Sequence, residues 1–203
     1  TVSAVAPQYC DTSSADGIQG GVGTWDLSTP YESWSITATG TTVSVWTNGN
    51  YARFVDPSNG TPSIVTVTNR LSVGSLMITG GVYTLIVTNG GQITNGSTAQ
   101  LPSFVGANAS NNTVIIAGGA GVNSRWELGA PATKQALTIG LGATGTNNQV
   151  LVDGGGVAGS AVLTHMSLLV MGTNAGANFN SLIVINGGQM FGLINSFSGG
   201  AMS

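Results

Sequence analysis

Any catalysis by this chain would have to come from a short roster of side chains. Seven carboxylates (Asp11, Asp16, Asp26, Glu32, Asp56, Glu127 and Asp153), one histidine (His165) and one cysteine (Cys10) are its only acids, imidazole and thiol. Cleavage of polysaccharides needs two carboxyls held a fixed distance apart, or acidic calcium ligands beside a basic residue. Five of the acids fall before residue 57, and only Glu127 and Asp153 lie beyond. Those two sit on different phrases of a repeat, so their spacing does not place them on one face. His165, in VLTHMSL, has no GxSxG turn to serve, and one His with one Cys does not make a zinc centre. The DxDxDG calcium loop and the GGxGxD nonapeptide are both absent. Asp11, Asp16 and Asp26 are the one acidic group with any reach toward calcium, and solvated carboxylates are the simpler reading. The glycine-rich GLGATG at Gly140–Gly145 opens no helix and recurs as a repeat turn, which removes a phosphate-loop reading. The residues predict a protein that is not an enzyme and that uses no cofactor or metal.

What the chain has in place of reactive groups is a phrase: Gly, a small polar loop, Asn, a run of branched apolar residues, then Gly-Gly. It reads VGANASNNTVIIAGG from Val105, IGLGATGTNNQVLVDGG from Ile139 and MGTNAGANFNSLIVINGG from Met171. The leading glycines are Gly106, Gly140 and Gly172, at steps of 34 and 32 residues. Self-similarity at such a period marks a repeat architecture. VTNGGQI, from Val87, returns as VINGGQM from Val184. The turn asparagines Asn112, Asn148 and Asn180 are expected to stack as a hydrogen-bonded amide ladder.

Composition agrees with many short strands. Charged residues are 5% of the chain against roughly 25% in ordinary soluble domains, while 41% is apolar and 32 of 203 residues are Gly. Thr, Ser, Asn and Gly do the solvating, and Gly and Asn accept positive φ at turns. Net charge is −3 with four basic residues, so no electrostatic footprint exists for nucleic acid or an anionic membrane. No apolar run approaches the ~20 residues that span a bilayer, so membrane insertion is not expected. Cys10 alone makes no internal disulfide; it reads as a small buried hydrophobe or as the partner of another chain's Cys10. The start Thr-Val-Ser fits a processed export product and equally a partial chain.

Three segments follow from this. Residues 1–23 read as an N-terminal extension, available as a strand donated to a neighbouring subunit. Residues 24–62 carry Trp25, Trp34, Trp46 and Phe54 at strand-like intervals and read as an aromatic cap; Trp126 falls later, and core packing is the expected place for all of these rings. Residues 63–203 are repeats of about 33 residues. The whole is expected to be all-β: a parallel β-solenoid (β-helix) of roughly nine coils, each strand ~4.8 Å above the last, with a β-sandwich as the alternative.

The phrase from Gly106 to Gly129, with GVNSRW at Gly121–Trp126 and the LTIG strand ending at Gly140, resembles the repeat of bacterial autotransporter passenger domains and PEP-CTERM exported proteins. Gly23–Tyr83, with its spaced Trp residues and NGNYARFVD, resembles autotransporter-associated β-strand repeats. The resemblance implies a secreted or surface-displayed solenoid serving as stalk, matrix or adhesin, and it implies no catalytic residues. The expectation is therefore a non-enzymatic extracellular or bacterial cell-surface protein that joins copies of itself head-to-tail into a fibre or layer. The alternative is an adhesin or stalk segment of a longer surface protein, with cell-surface or matrix polysaccharide as its partner. The assembly interface is expected at Cys10, Met190, Phe191, Leu193, Ile194 and Phe197.

Overall fold

The computed structural model describes residues 5–13, 17–27, 34–96 and 101–192, with the backbone of 197–198. The aromatic part holds β1 (Pro7–Cys10), β2 (Val22–Thr24), β3 (Trp34–Ser35), β4 (Val43–Ser44) and β5 (Tyr51–Phe54). Next come β6 (Ser63–Val67), β7 (Arg70–Val73) and β8 (Ser75–Ile78), then β9 (Tyr83–Val87), β10 (Gln92–Asn95) and β11 (Ser103–Ala107). The first full phrase forms β12 (Thr113–Ala117), β13 (Ser124–Glu127), the short β14 (Gly129–Ala130) and β15 (Thr133–Leu141). The remainder forms β16 (Gln149–Asp153), β17 (Ala161–Met171), β18 (Ser181–Ile185), β19 (Gln189–Gly192) and β20 (Phe197–Ser198).

Local pattern explains the strands. In YTLIV at β9, Tyr83, Leu85 and Val87 are buried while Thr84 and Ile86 are part-exposed, the two-residue alternation of a sheet with one buried face. TVIIA at β12 and QVLVD at β16 repeat it, burying Val114, Ile116, Val150 and Val152. Branched residues suit these pleated, half-buried positions. The buried side chains form one cluster that draws on both sheets.

The strands make two sheets. One is wholly parallel, six strands in the order β18-β16-β12-β9-β6-β2. The other has fourteen strands and is mixed; its path runs β4-β3-β1-β5-β8-β11-β15-β17-β13-β10-β7, with β14, β19 and β20 attached. Within it β1–β3, β3–β4 and β14–β15 are antiparallel.

The structure is all-β, with no helix among the described residues, but the expected parallel β-solenoid of about nine coils is not what it shows. Two features overturn that expectation. The phrase contributes one strand per repeat to the six-stranded sheet, with steps of 36 and 32 residues between equivalent asparagines, so fewer layers form than a ~20-residue coil predicts. The long strand β17 pairs with β13 through Ala161–Thr164 and with β15 through Met166–Met171, which fuses two wings into one mixed sheet. The N-terminal part departs further, since β3 and β4 run antiparallel.

The proposed extension is partly placed. β1 lies inside the large sheet between β3 and β5, and β2 is the edge of the small sheet, so both pair within the chain's own body.

The aromatic residues gather at that end. Trp25 lies 4.6 Å from Trp34, 5.0 Å from Trp46 and 5.9 Å from Phe54, ring centre to ring centre, mostly in tilted or edge-on arrangements. Such geometries suit the ring quadrupole. Phe54 continues the stack to Tyr83 at 5.2 Å. The Trp46 indole donates to the Ser72 carbonyl at 3.2 Å, whereas the Trp25 and Trp34 indole nitrogens are buried without an acceptor. Trp126 is separate: it lies in β13, fully buried, and donates to Asn95 Oδ1 at 3.1 Å.

Candidate functional site

Among the described residues the groups able to do acid–base work are scattered over both sheets and the loops between them. Glu127, in the large sheet, pairs with Arg125 at 3.5 Å and accepts from the Thr94 hydroxyl at 3.2 Å. Asp153 ends a strand of the small sheet and accepts from the Gly155 amide (2.9 Å) and Asn186 (3.1 Å). The structure does not bring these two together. Asp56 accepts from the Gly81 amide. Asp26 is buried, and Asp16 and Glu32 lie outside the described residues. His165 sits at φ 60 where β17 passes from one wing to the other, its Nδ1 buried without a partner.

Among the described residues no three His, Cys, Asp or Glu side chains are grouped to hold a metal ion. No helix among the described residues is long and apolar enough to cross a membrane.

Cys10 is free and 1% exposed, packed in the core beside the aromatic rings. Burial, with the Asp11 carboxylate adding to it, pushes its thiol well above the ordinary range. It is therefore not presented to another chain, which corrects its assignment to an assembly surface. Asp11 itself is fully buried. Its Oδ1 accepts from the Gln19 and Ser13 amides at 3.0 and 3.3 Å, while Oδ2 has no partner. Desolvation raises its pKa, and those two bonds only partly oppose the rise.

The structure brings the three turn asparagines into one column. Asn112 Nδ2 donates to Asn148 Oδ1 at 3.0 Å, and Asn148 Nδ2 to Asn180 Oδ1 at 3.1 Å. The same two oxygens also accept the backbone N–H of the preceding asparagine, at 3.1 and 3.0 Å. Asn112 Oδ1 in turn accepts from the Tyr83 amide at 2.9 Å. Each amide therefore closes a backbone donor that the start of the strand would otherwise leave unpaired.

The leading glycine of each phrase is explained by this column. Gly106 has φ 78, and a Cβ there would lie 2.2 Å from the Asn148 amide group; at Gly140, with φ 75, it would lie 2.1 Å from Asn180 Nδ2. A side chain at either place would evict the asparagine of the following phrase. Gly and Asn are thus coupled one repeat apart, which is why they recur together.

Among the described residues the column ends at Asn180, beside the edge strand β18. Among the described residues the far side of β18 has no partner strand. Its sequence, SLIVI, has no charge or proline to blunt it, and Val184 and Ile185 are exposed. Phe179, which the sequence reading missed, is 84% exposed at the same end. Its signal was a broken doublet: Asn111-Asn112 and Asn147-Asn148 are followed by Phe179-Asn180. Of the residues expected to form the assembly surface, Phe191 is 53% exposed and Met190 packs partly buried against the core. Phe197 falls in β20, which pairs with β17, and Leu193 and Ile194 lie outside the described residues.

No family model matches the chain, and neither a curated protein nor a solved structure matches it.

Proposed function

We propose that this chain is a non-enzymatic structural protein of the bacterial exterior that assembles end to end with copies of itself. One observation carries the reading: an uncharged parallel edge strand, β18, preceded by the exposed Phe179, has no partner on its far side among the described residues. An unpaired edge of this kind is a template for adding another strand. A contact between unlike ends propagates into open filaments, whereas a like-with-like contact closes. The repeat phrase, with its resemblance to exported and surface-displayed bacterial proteins, supports the extracellular setting. The separate engagement of Glu127 and Asp153 supports a role without catalysis.

A second reading, a stalk or adhesin segment of a longer surface protein with a polysaccharide partner, is favoured by the opposite edge. Gly21 precedes β2 where Asn precedes β12, β16 and β18, so the two edges do not match as a repeat would.

Sedimentation velocity and negative-stain microscopy test the assembly. The chain is expected to form concentration-dependent oligomers or filaments, and the double variant Ile185→Lys/Phe191→Lys to remain monomeric. Both residues are exposed, so the substitutions should change fold stability by only about 0.5 kcal/mol. Compact monomers of the unaltered chain at every concentration would refute self-assembly.

A further inference from the structure

Gly106 seats Asn148 and Gly140 seats Asn180; Gly172 holds the same place in the third phrase. Its backbone is the same, with φ 63 against 78 and 75. No side-chain amide of the described residues fills its seat. The nearest atoms to a Cβ there are Ala177 O of its own turn at 2.6 Å and, much farther, Asn180 Nδ2 at 3.9 Å. The space belongs to a cavity of about 300 Å³ lined by Met171, Gly172, Asn174, Ala177, Asn178, Phe179 and Asn180.

We propose that this cavity is a receptor for the side-chain amide of an asparagine heading an extended strand of another polypeptide, which adds parallel to β18. The inference rests on the reading of β18 as a docking edge and goes beyond it by naming what the edge recognises. The interface continues the one by which β16 receives β18, in which Gln149 pairs with Ser181 and Asp153 with Ile185.

The inner rungs dictate the bonds. The incoming Oδ1 accepts the Asn180 backbone N–H and Nδ2–H, as Asn180 Oδ1 accepts those of Asn148 at 3.0 and 3.1 Å, once that Nδ2–H gives up the bond it makes to the Ala177 carbonyl at 2.9 Å in the free chain. The incoming Nδ2 donates to the Ala177 carbonyl. Asn148 Nδ2 bonds the Ala109 carbonyl in that way at 3.0 Å, and Asn180 Nδ2 the Gly145 carbonyl at 2.8 Å. Both a donor and an acceptor are required on a two-bond stem, which selects Asn over Asp, Leu or Gln. The β2 strand of a second copy is headed by Gly21 and brings no amide, so it does not satisfy the seat.

The test uses a fluorescently labelled peptide of this chain's own Thr146–Gly155, TNNQVLVDGG, titrated into the full chain and read by anisotropy. Saturable binding is expected, with the Asn148→Ala peptide about tenfold or more weaker. Gly172→Ala in the protein should weaken the unaltered peptide and leave the Ala peptide's weak binding unmoved. Should Gly172→Ala fail to fold, the comparison of the two peptides still decides. Equal affinity for both peptides, or no binding of either, overturns the proposal. A chain that stays monomeric yet prefers the Asn peptide refutes self-assembly and leaves this receptor standing. Oligomers that the Asn peptide does not dissociate or bind show stacking through β2 and overturn it.

Discussion

Phe179 occupies a left-handed backbone position, φ 58, that its column otherwise gives to Asn111 (φ 61) and Asn147 (φ 53). That conformation costs an ordinary L-residue roughly 1–2 kcal/mol, and asparagine is among the few that visit it routinely. Asn147 also donates to Asn111 Oδ1 at 2.7 Å, a bond that phenylalanine does not extend. Phe179→Asn is therefore expected to stabilise the monomer by about 1 kcal/mol in urea unfolding. The same change should weaken oligomer formation, because it removes a ring that is 84% exposed beside β18. Asn148 behaves oppositely, since its side chain accepts two bonds from Asn112 and donates to Ala109 and Asn180. Asn148→Ala leaves several of those groups buried and unpaired, and should lower unfolding free energy by about 3 kcal/mol or more. Asp11 gives the chain a pH dependence. Its carboxyl holds a proton more tightly folded than unfolded, so its contribution is fully present below the unfolded value of roughly 3.9. That contribution is lost as pH rises through the raised folded value. Thermal midpoints should fall as pH is raised above about 4, and Asp11→Asn should flatten that part of the profile.

At the scale of the element, β17 shows what the sequence conceals. Between Glu127 and Gln135 the chain spends seven residues on a small antiparallel loop, with Gly129 opposite Lys134. One phrase later the equivalent passage from Thr164 to Met166 is made by His165 alone, in a left-handed bulge. Asparagine should be tolerated there within about 0.5 kcal/mol, whereas a β-branched Val clashes with its own backbone and should cost about 2 kcal/mol in denaturant unfolding. This is also where the sequence reading of the fold failed. A lone histidine inside VLTHMSL carries no mark of a corner, so the continuity of β17 and the merging of two wings were not legible. The asparagine column was legible, because Gly106, Asn112, Gly140, Asn148 and Asn180 are tied to one another by backbone angle and contact distance. Alternating strands such as Tyr83–Val87 were legible for the same local reason. Strand pairing at the N-terminal end was not, since two-residue strands such as Trp34–Ser35 carry no period to read. Phe179 escaped notice because its meaning comes from the column and not from its own neighbours.

The molecule as a whole is unequal from end to end. Trp25, Trp34, Trp46, Phe54 and Tyr83 interlock at one end, and middle strands such as β9 and β12 are paired on both sides. At the other end β18 is paired on one side only among the described residues, and none of its residues is fully buried. Layers that touch only their neighbours gain stability from both sides when internal and from one side when terminal. Local opening should therefore begin at β18 and stop short of the aromatic end. Native-state hydrogen exchange is expected to show β18 amides least protected and those of β9 and β12 at or near the global limit. All four tryptophans lie before residue 127, so their fluorescence should not register this fraying while backbone circular dichroism does. Urea midpoints should consequently be lower by dichroism than by fluorescence, a departure from two-state behaviour with a structural cause. Occupying the β18 edge adds the missing neighbour. The Asn-headed peptide should slow β18 exchange and draw the two midpoints together, and coincident midpoints in the free chain would show that the open edge shares the full cooperativity of the core.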